Sequence, residues 1–413
     1  MQRNIHVLLI DINVTLYFLK CKEQVKRGIV MFYITKEIEN KIIDYAEQLH
    51  SNPELSDQET LTTKFIKEQL SLMNIEIIDV LKGTGVIGLI KGEYPGKTVA
   101  LRADIDALPI KEDESHKIRS KNEGVMHACG HDIHTAALLG AANALQNIRE
   151  TLHGNVLLIF QPAEEISSGA KAIISSGIFD IVKPDAFFSI HVMPNIPADK
   201  VGVREGSIMA GQIGFEITVH GKGGHGASPQ NACDPIIAAV RTVDALQSIT
   251  ARESDPLSPL VLSVCSIHSG TAINIIPNKA IFSGTCRYLD NSLSDTIHKR
   301  ITDISTMTAQ VHNCKAEAKF FRSLPALDNS PLLLSVAQKS GHTVFGNDNM
   351  IVQNSTMASE DFALFSNIAP TFMYHVGIGG QYPLHNCHLQ IPKHTASQCA
   401  ELFTQTVLTY LSV

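Results

Sequence analysis

NVLLIFQPAEE, residues 155–165, decides how the fold is read. Five apolar residues, Val156 to Phe160, run on without alternation. They stop at Gln161, Pro162 and a pair of carboxylates, Glu164 and Glu165. A short continuous apolar run bounded by polar residues and a proline is the pattern of a strand buried on both faces. TVALRAD (98–104), AFFSIH (186–191) and TFMYHVG (371–377) repeat it. Helical stretches lie between these runs. KEIENKIIDYAEQLHSNPEL (36–55) places Ile38, Ile42, Ile43 and Leu49 at roughly helical spacing, and TAALLGAANAL (135–145) is apolar nearly throughout. Strands alternating with helices predict an α/β domain, with a mostly parallel sheet and helices on both faces. In such folds ligands gather at the carboxyl ends of the strands.

The middle of the chain has another rhythm. GFEITVHG (214–221), LVLSVCSIH (260–268), KAIFSGTCRYL (279–289) and CKAEAKFF (314–321) read as strands, while PIIAAVRTVDALQS (235–248) and LSDTIHKRITDISTMTAQV (293–311) read as helices. The order βαββαβ is the ferredoxin-like split motif. It predicts a second domain over 210–322, inserted into a first made of 35–209 and 323–413. Residues 1–34 are expected to be an extension outside the fold, with Met31 an alternative start. Their apolar stretches are interrupted by Asp11 and Asn13 and fall short of the ~20 apolar residues of a membrane span. No small-residue cleavage site follows them.

Composition narrows the function classes. A chain of 413 residues exceeds a small binding module, and 44% hydrophobic against 18% charged residues is not the balance of a disordered polypeptide. The formal charge of -7, with no lysine or arginine run, argues against nucleic acid as a partner. Eight cysteines without regular spacing do not make a secreted disulfide scaffold and fit a reducing cytosol.

The densest polar cluster is MHACGHDIHTA (126–136), with Cys129, His131, Asp132 and His134 just ahead of the apolar helix. A thiolate and an imidazole two residues apart can address one metal site. The same residues also read as a helix start capped by Asp132, or as a Cys129 nucleophile activated by His131. Glu164 and Glu165 leave their strand in different directions, so one can bind metal while the other faces a substrate, unless both are simply solvated. His191 ends AFFSI, and His385 lies in PLHNCH (383–388). Asp104 and Asp106, in RADIDALP (102–109), are either carboxylates that orient a ligand histidine or ordinary turn acids. Cys129, His131, Glu165, His191 and His385 all fall where the expected sheet brings them to one edge. Two ions ~3.5–4 Å apart need a bridging ligand and open positions, and five ligands meet that need. In the middle of the chain, GKGGHGASP (221–229) carries His225 among glycines that also serve as a plain turn. NIIPNKAIFSGTCR (274–287) carries Asn274 and Arg287, whose planar fork suits a substrate carboxylate or a surface salt bridge.

RADIDALP, MHACGHDIHTA, FQPAEE, SIHVMP, GKGGHGASP, NIIPNKA with GTCR, SEDF and LHN occur in an order that resembles a known family. It is that of the metal-dependent amidohydrolases that include hippurate hydrolase, N-acyl-amino-acid amidohydrolase and the auxin-conjugate hydrolases of plants. The likeness runs from about residue 37 to the C-terminus. It implies a catalytic domain, an inserted lid that also forms a homodimer contact, and two divalent ions (zinc, manganese, nickel or cobalt) on Cys129, His131, Glu165, His191 and His385. Glu164 takes the position of the general base, and His225 that of a lid histidine that reaches a neighbouring subunit's site and stabilises an oxyanion. Asn274 and Arg287 take positions that hold the substrate carboxylate, and Asp106 is expected to orient a ligand. The implied reaction is cleavage of an N-acyl amino acid in the cytoplasm, with no nucleic-acid or membrane partner. A dipeptidase or carboxypeptidase, a catalytically silent binding homologue and a thiol hydrolase are the alternatives. Two departures stand out. VMPNIP (192–197) lacks the tryptophan frequent there, and CHLQIP (387–392) replaces an acidic stretch, leaving His388 as a competing metal donor.

Overall fold

The computed structural model describes residues 34–412. The expected N-terminal extension, apart from Ile34, therefore lies outside the described residues. In chain order the principal elements begin with α1 (Lys36–Ser51), α2 (Thr60–Leu72), β1 (Val86–Lys91), β2 (Tyr94–Asp104), α3 (His131–Asn147), β3 (His153–Gln161) and β4 (Ala186–Met193). They continue with β5 (Gly211–His220), α4 (Pro235–Leu246), β6 (Leu260–Ser269), β7 (Lys279–Tyr288), α5 (Ser294–Val311) and β8 (Lys315–Leu324). The last are α6 (Pro331–Phe345), β9 (Thr371–Gly377) and α7 (Thr395–Leu411).

These elements form two compact units. Among the described residues the first takes in 34–206, Asn329–Gln353 and 364–412. The four apolar runs make the centre of its sheet, in the order β3-β2-β4-β9, all parallel. The antiparallel β1 lies beyond β3, and the short segments Glu76–Ile77, Val201–Gly202 and Met350–Ile351 complete an eight-stranded sheet. Its core is an α/β arrangement, as the alternation of patterns predicts. Phe187 and Phe188 are adjacent on β4 and point to opposite faces, yet both are fully buried. Phe187 stacks on Phe365 and meets Phe179 edge-on, whereas Phe188 packs on Tyr374 and on Tyr410 of α7. Both faces of the strand are covered.

Helix packing follows from sequence. Thr35 caps α1 by accepting the Ile38 N–H, and Ile38, Ile42, Ala46 and Leu49 form its buried stripe. Ile43 lies off this stripe and is only partly buried. Ile42 presses on α3 at Gly140, where a Cβ would lie 2.4 Å from the isoleucine Cδ1. Any side chain at 140 would force Ile42 to shift. Cross-strand register pairs Asp104 with Gln161 and His191 with His375. The segments that follow β2, β3, β4 and β9 therefore leave the sheet at a common edge.

The second unit comprises Ser207–Asp328 with Asn354–Ala363. Its four long strands form one sheet, all antiparallel, in the order β6-β7-β5-β8. α4 and α5 share a core with them that includes Phe215, Ile217, Phe282, Ile297 and Ile301. The unit is wider than 210–322 because hydrogen bonds bind its flanks. Tyr288 donates to Leu324 O at 3.1 Å, Thr356 N–H to Ile208 O at 2.9 Å and Ala210 N–H to Ala358 O at 2.8 Å. Among the described residues no helix is long and apolar enough to cross a membrane.

Candidate metal centre

At the carboxyl edge of the first unit's sheet, Gly130 has φ +85° and lets the chain turn into α3 directly after Cys129. A Cβ there would meet Val192 Cγ2 at 2.4 Å, so the glycine also lets the start of α3 sit against the end of β4. This puts Cys129 Sγ 3.6 Å from His191 Nε2. The other ring nitrogen of His191 donates to Val192 O at 2.8 Å. Burial, reinforced by the nearby His134, holds the His191 pKa well below the usual histidine value. The ring is neutral and offers a lone pair toward the thiol.

The ring of His131, the next candidate donor, is fixed by Asp106. His131 Nδ1 lies 2.9 Å from its carbonyl oxygen and 3.2 Å from its carboxylate, which turns Nε2 the other way. The same carboxylate accepts the Glu165 N–H at 3.0 Å and the Ser56 hydroxyl at 2.7 Å. Glu165 Oε1 is 3.9 Å from His131 Nε2 and 3.4 Å from His385 Nε2. His385 sits at φ +62°, its N–H donating to Ala128 O at 2.8 Å. Glu164 joins His131 and Glu165 in one group of donor atoms within 4.8 Å of each other.

These residues fit a pair of cations. Cys129, His131 and His191 form one donor group and Cys129, Glu165 and His385 another, overlapping as a shared site requires. Their separations of 3.6, 3.9 and 3.4 Å lie near the roughly 3.3–3.8 Å between donors that each lie about 2.0–2.3 Å from one tetrahedral ion. Within the cluster His131 Nε2 and Glu165 Oε1 are buried without a hydrogen-bond partner. Burial pushes the Cys129 thiol well up, so its thiolate needs a cation beside it.

The remaining members of MHACGHDIHTA face elsewhere. His134 uses both nitrogens, Nδ1 with Asp104 at 2.6 Å and Nε2 with Val192 N–H at 3.0 Å. Asp132 meets His50 Nδ1 at 2.7 Å, and His50 Nε2 lies 2.8 Å from Glu112. Burial alone would lower the His50 pKa, but the bonds to Asp132 and Glu112 carry it up to about 10. Burial likewise opposes the Asp104 charge, yet His131, Arg102 and His134 hold its pKa well below the ordinary range. His388 Nδ1 lies 3.5 Å from Asp113. A cavity of about 370 Å³ behind the start of α3, lined by His50, His116, His127 and Asp132, touches none of the five candidate ligands.

His225, Asn274 and Arg287 belong to the second unit. His225 pairs with Ile275 in a short ladder, and Asn274 O accepts the Gly226 N–H at 2.8 Å, so the two motifs adjoin. Arg287 donates to the Ser359 hydroxyl, and its pKa is lowered by burial and by Arg322. Ser56 and His50 escaped sequence reading, because no local pattern shows that they reach Asp106 and Asp132.

The model of the family described as Peptidase family M20/M25/M40 matches residues 100–409. The chain belongs to that family. The resemblance read from the ordered motifs is thereby borne out. An N-acetylcysteine deacetylase of Bacillus subtilis is 37% identical, across 91% of this chain and 98% of that protein. A thermostable carboxypeptidase 2 of Saccharolobus solfataricus is 39% identical, across 85% of this chain and 90% of that one. An IAA-amino acid hydrolase of Arabidopsis thaliana is 37% identical, across 84% and 80%. Among solved structures, a Bacillus subtilis protein described as a dinuclear metal binding peptidase of the M20 family aligns with TM-score 0.81 and 34% identity, over 92% of this chain and 99% of that one.

Proposed function

We propose that the chain is an amidohydrolase that cleaves N-acyl amino acids, with acetyl, benzoyl or similar acyl groups, into a carboxylic acid and a free amino acid. The observation that carries this reading is the grouping of Cys129, His131, His191, Glu165 and His385, with Glu164 beside them. Those five residues would hold two divalent ions, with zinc, manganese, nickel and cobalt all compatible with the donors. When bound, the ions supply Lewis acidity toward the amide carbonyl and make water a usable nucleophile near neutral pH. Glu164 takes the proton from the attacking water on a carboxylate oxygen and returns it to the leaving amine nitrogen, help worth roughly 10²–10⁴-fold. Asp106 keeps His131 in the tautomer whose Nε2 faces the cluster.

In this reading the second unit is a ferredoxin-like insertion that acts as a lid, which its strand and helix order βαββαβ supports. His225 donates to the oxygen on which negative charge develops, and Asn274 and Arg287 bind the substrate's α-carboxylate. A homodimer through this unit is supported by the exposed Ile236, Ile237 and Val240 on α4 and by Val261 and Ile267 on the edge strand β6. A reducing cytosol suits a thiol ligand. The second reading, a carboxypeptidase, is favoured by the relative of that name. Comparing kcat/KM for N-acetyl and N-benzoyl amino acids against dipeptides and acylated peptides tests the choice. Preference for peptides overturns it.

A further inference from the structure

We infer that Glu59 is a positioning residue that holds the backbone turn from which Glu164 and Glu165 project. The inference rests on the roles proposed for that pair. Ala163, two residues beyond the end of β3, is fully buried and has φ +52°, a left-handed conformation that a residue with a Cβ rarely adopts. Something must favour it over the extended alternatives. The turn closes on itself, since Ser167 N–H donates to Glu164 O at 2.7 Å and Ser168 N–H to Ala163 O at 3.2 Å. The N–H of Ala163, however, points away from the turn and donates to Glu59 Oε1 at 2.8 Å.

Glu59 stands at the N-cap position of α2, yet its side chain makes no capping bond. Glu54 does that work, accepting the N–H groups of Leu61 at 3.1 Å and Thr62 at 2.8 Å. The Glu59 carboxyl is fully buried, and its second oxygen accepts the Thr84 hydroxyl at 2.7 Å. A buried carboxyl aimed away from its own helix is costly, and what it reaches is the backbone of QPAEE. Ser56, three residues earlier, reaches the same turn by another route, through Asp106 to the Glu165 N–H. One loop thus grips the amides of Ala163 and Glu165, on either side of Glu164. Loss of the Glu59 grip frees the Ala163 peptide to relax toward negative φ and swings both carboxylates away from the cluster.

The test uses purified Glu59→Ala, Glu59→Gln, Thr84→Val and Glu59→Ala/Ala163→Gly proteins. It reads Mn²⁺ affinity by calorimetry, amide hydrogen exchange over 161–168, and kcat with KM on an N-acyl amino acid. Glu59→Ala should lower kcat about tenfold or more with KM little changed, weaken Mn²⁺ binding about tenfold and speed exchange at Ala163. Glu59→Gln keeps an oxygen for the same N–H and should stay within about threefold of wild type. Glycine at 163 adopts positive φ freely and should restore part of the loss in the double variant. Thr84→Val, a milder change, should shift exchange and affinity in the same direction if Glu59→Ala does not fold. Equal damage from Gln and Ala, no gain from Ala163→Gly, or exchange at 163 unchanged in both Glu59→Ala and Thr84→Val overturns the inference. If wild type shows no hydrolysis, the proposed function fails, while exchange and Mn²⁺ affinity still decide the role of Glu59.

Discussion

Replacing Asp106 by alanine distinguishes a carboxylate that orients two metal ligands from an acid that only shapes a turn. The carboxylate is almost fully buried and accepts from three groups: His131 Nδ1 at 3.2 Å, Glu165 N–H at 3.0 Å and Ser56 Oγ at 2.7 Å. In Asp106→Ala, His131 keeps the backbone carbonyl at 2.9 Å and the Ser56 hydroxyl can rotate. The Glu165 amide then has no acceptor, at a cost of about 1–3 kcal/mol. Because His131 loses one of its two anchors and the Glu165 amide loses its acceptor, affinity for a divalent ion should fall about 10–100-fold, equivalent to about 1.4–2.7 kcal/mol. Asp106→Asn presents a single acceptor oxygen and satisfies either His131 or the Glu165 amide, so it should fall between. Calorimetric titration of the chelator-stripped protein with Mn²⁺, alongside urea unfolding, measures both quantities. Ion affinity within twofold of wild type in Asp106→Ala refutes the reasoning.

Glu164→Ala should abolish turnover and retain its ions, whereas Glu165→Ala should lose ions as well, and metal analysis of both variants checks the assignment. The reverse pattern means the two glutamates are exchanged. His50 gives a pH prediction. Its pKa rises from about 6.5 unfolded to about 10 in the folded chain, so the folded state binds more protons between those values. Its contribution to stability is complete below about pH 6.5 and is lost as pH climbs through about 10. Urea unfolding at pH 7 and pH 10 should therefore show a larger loss in wild type than in His50→Gln, and equal losses would contradict the assignment.

Much of the candidate site is legible in the sequence because polar residues stand where apolar runs end. His191 and Glu165 follow strands whose continuous apolar character announces burial, and parallel strands open to one edge. His131 and His134 are three residues apart at one helix start and cannot be told apart by pattern. What separates them is Asp104 and Val192 engaging His134, and Asp106 engaging His131. Asp104 and Asp106 are equally ambiguous in sequence. Arg102, paired with Asp104 at 2.7 Å inside the sheet, accounts for one of them. Glu59 was invisible because an acid before a helix predicts a cap, and only the folded chain shows its carboxyl turned toward Ala163.

The most direct test is a stepwise refilling of the chelator-stripped protein with Mn²⁺ or Zn²⁺, counting bound ions per chain while following hydrolysis of N-acetyl and N-benzoyl amino acids. Stripped protein should be inactive, activity should plateau as the second ion binds, and Cys129→Ala and His191→Ala should each lose ion binding. Full activity without metal, or undiminished ion binding in both variants, contradicts a dinuclear hydrolase.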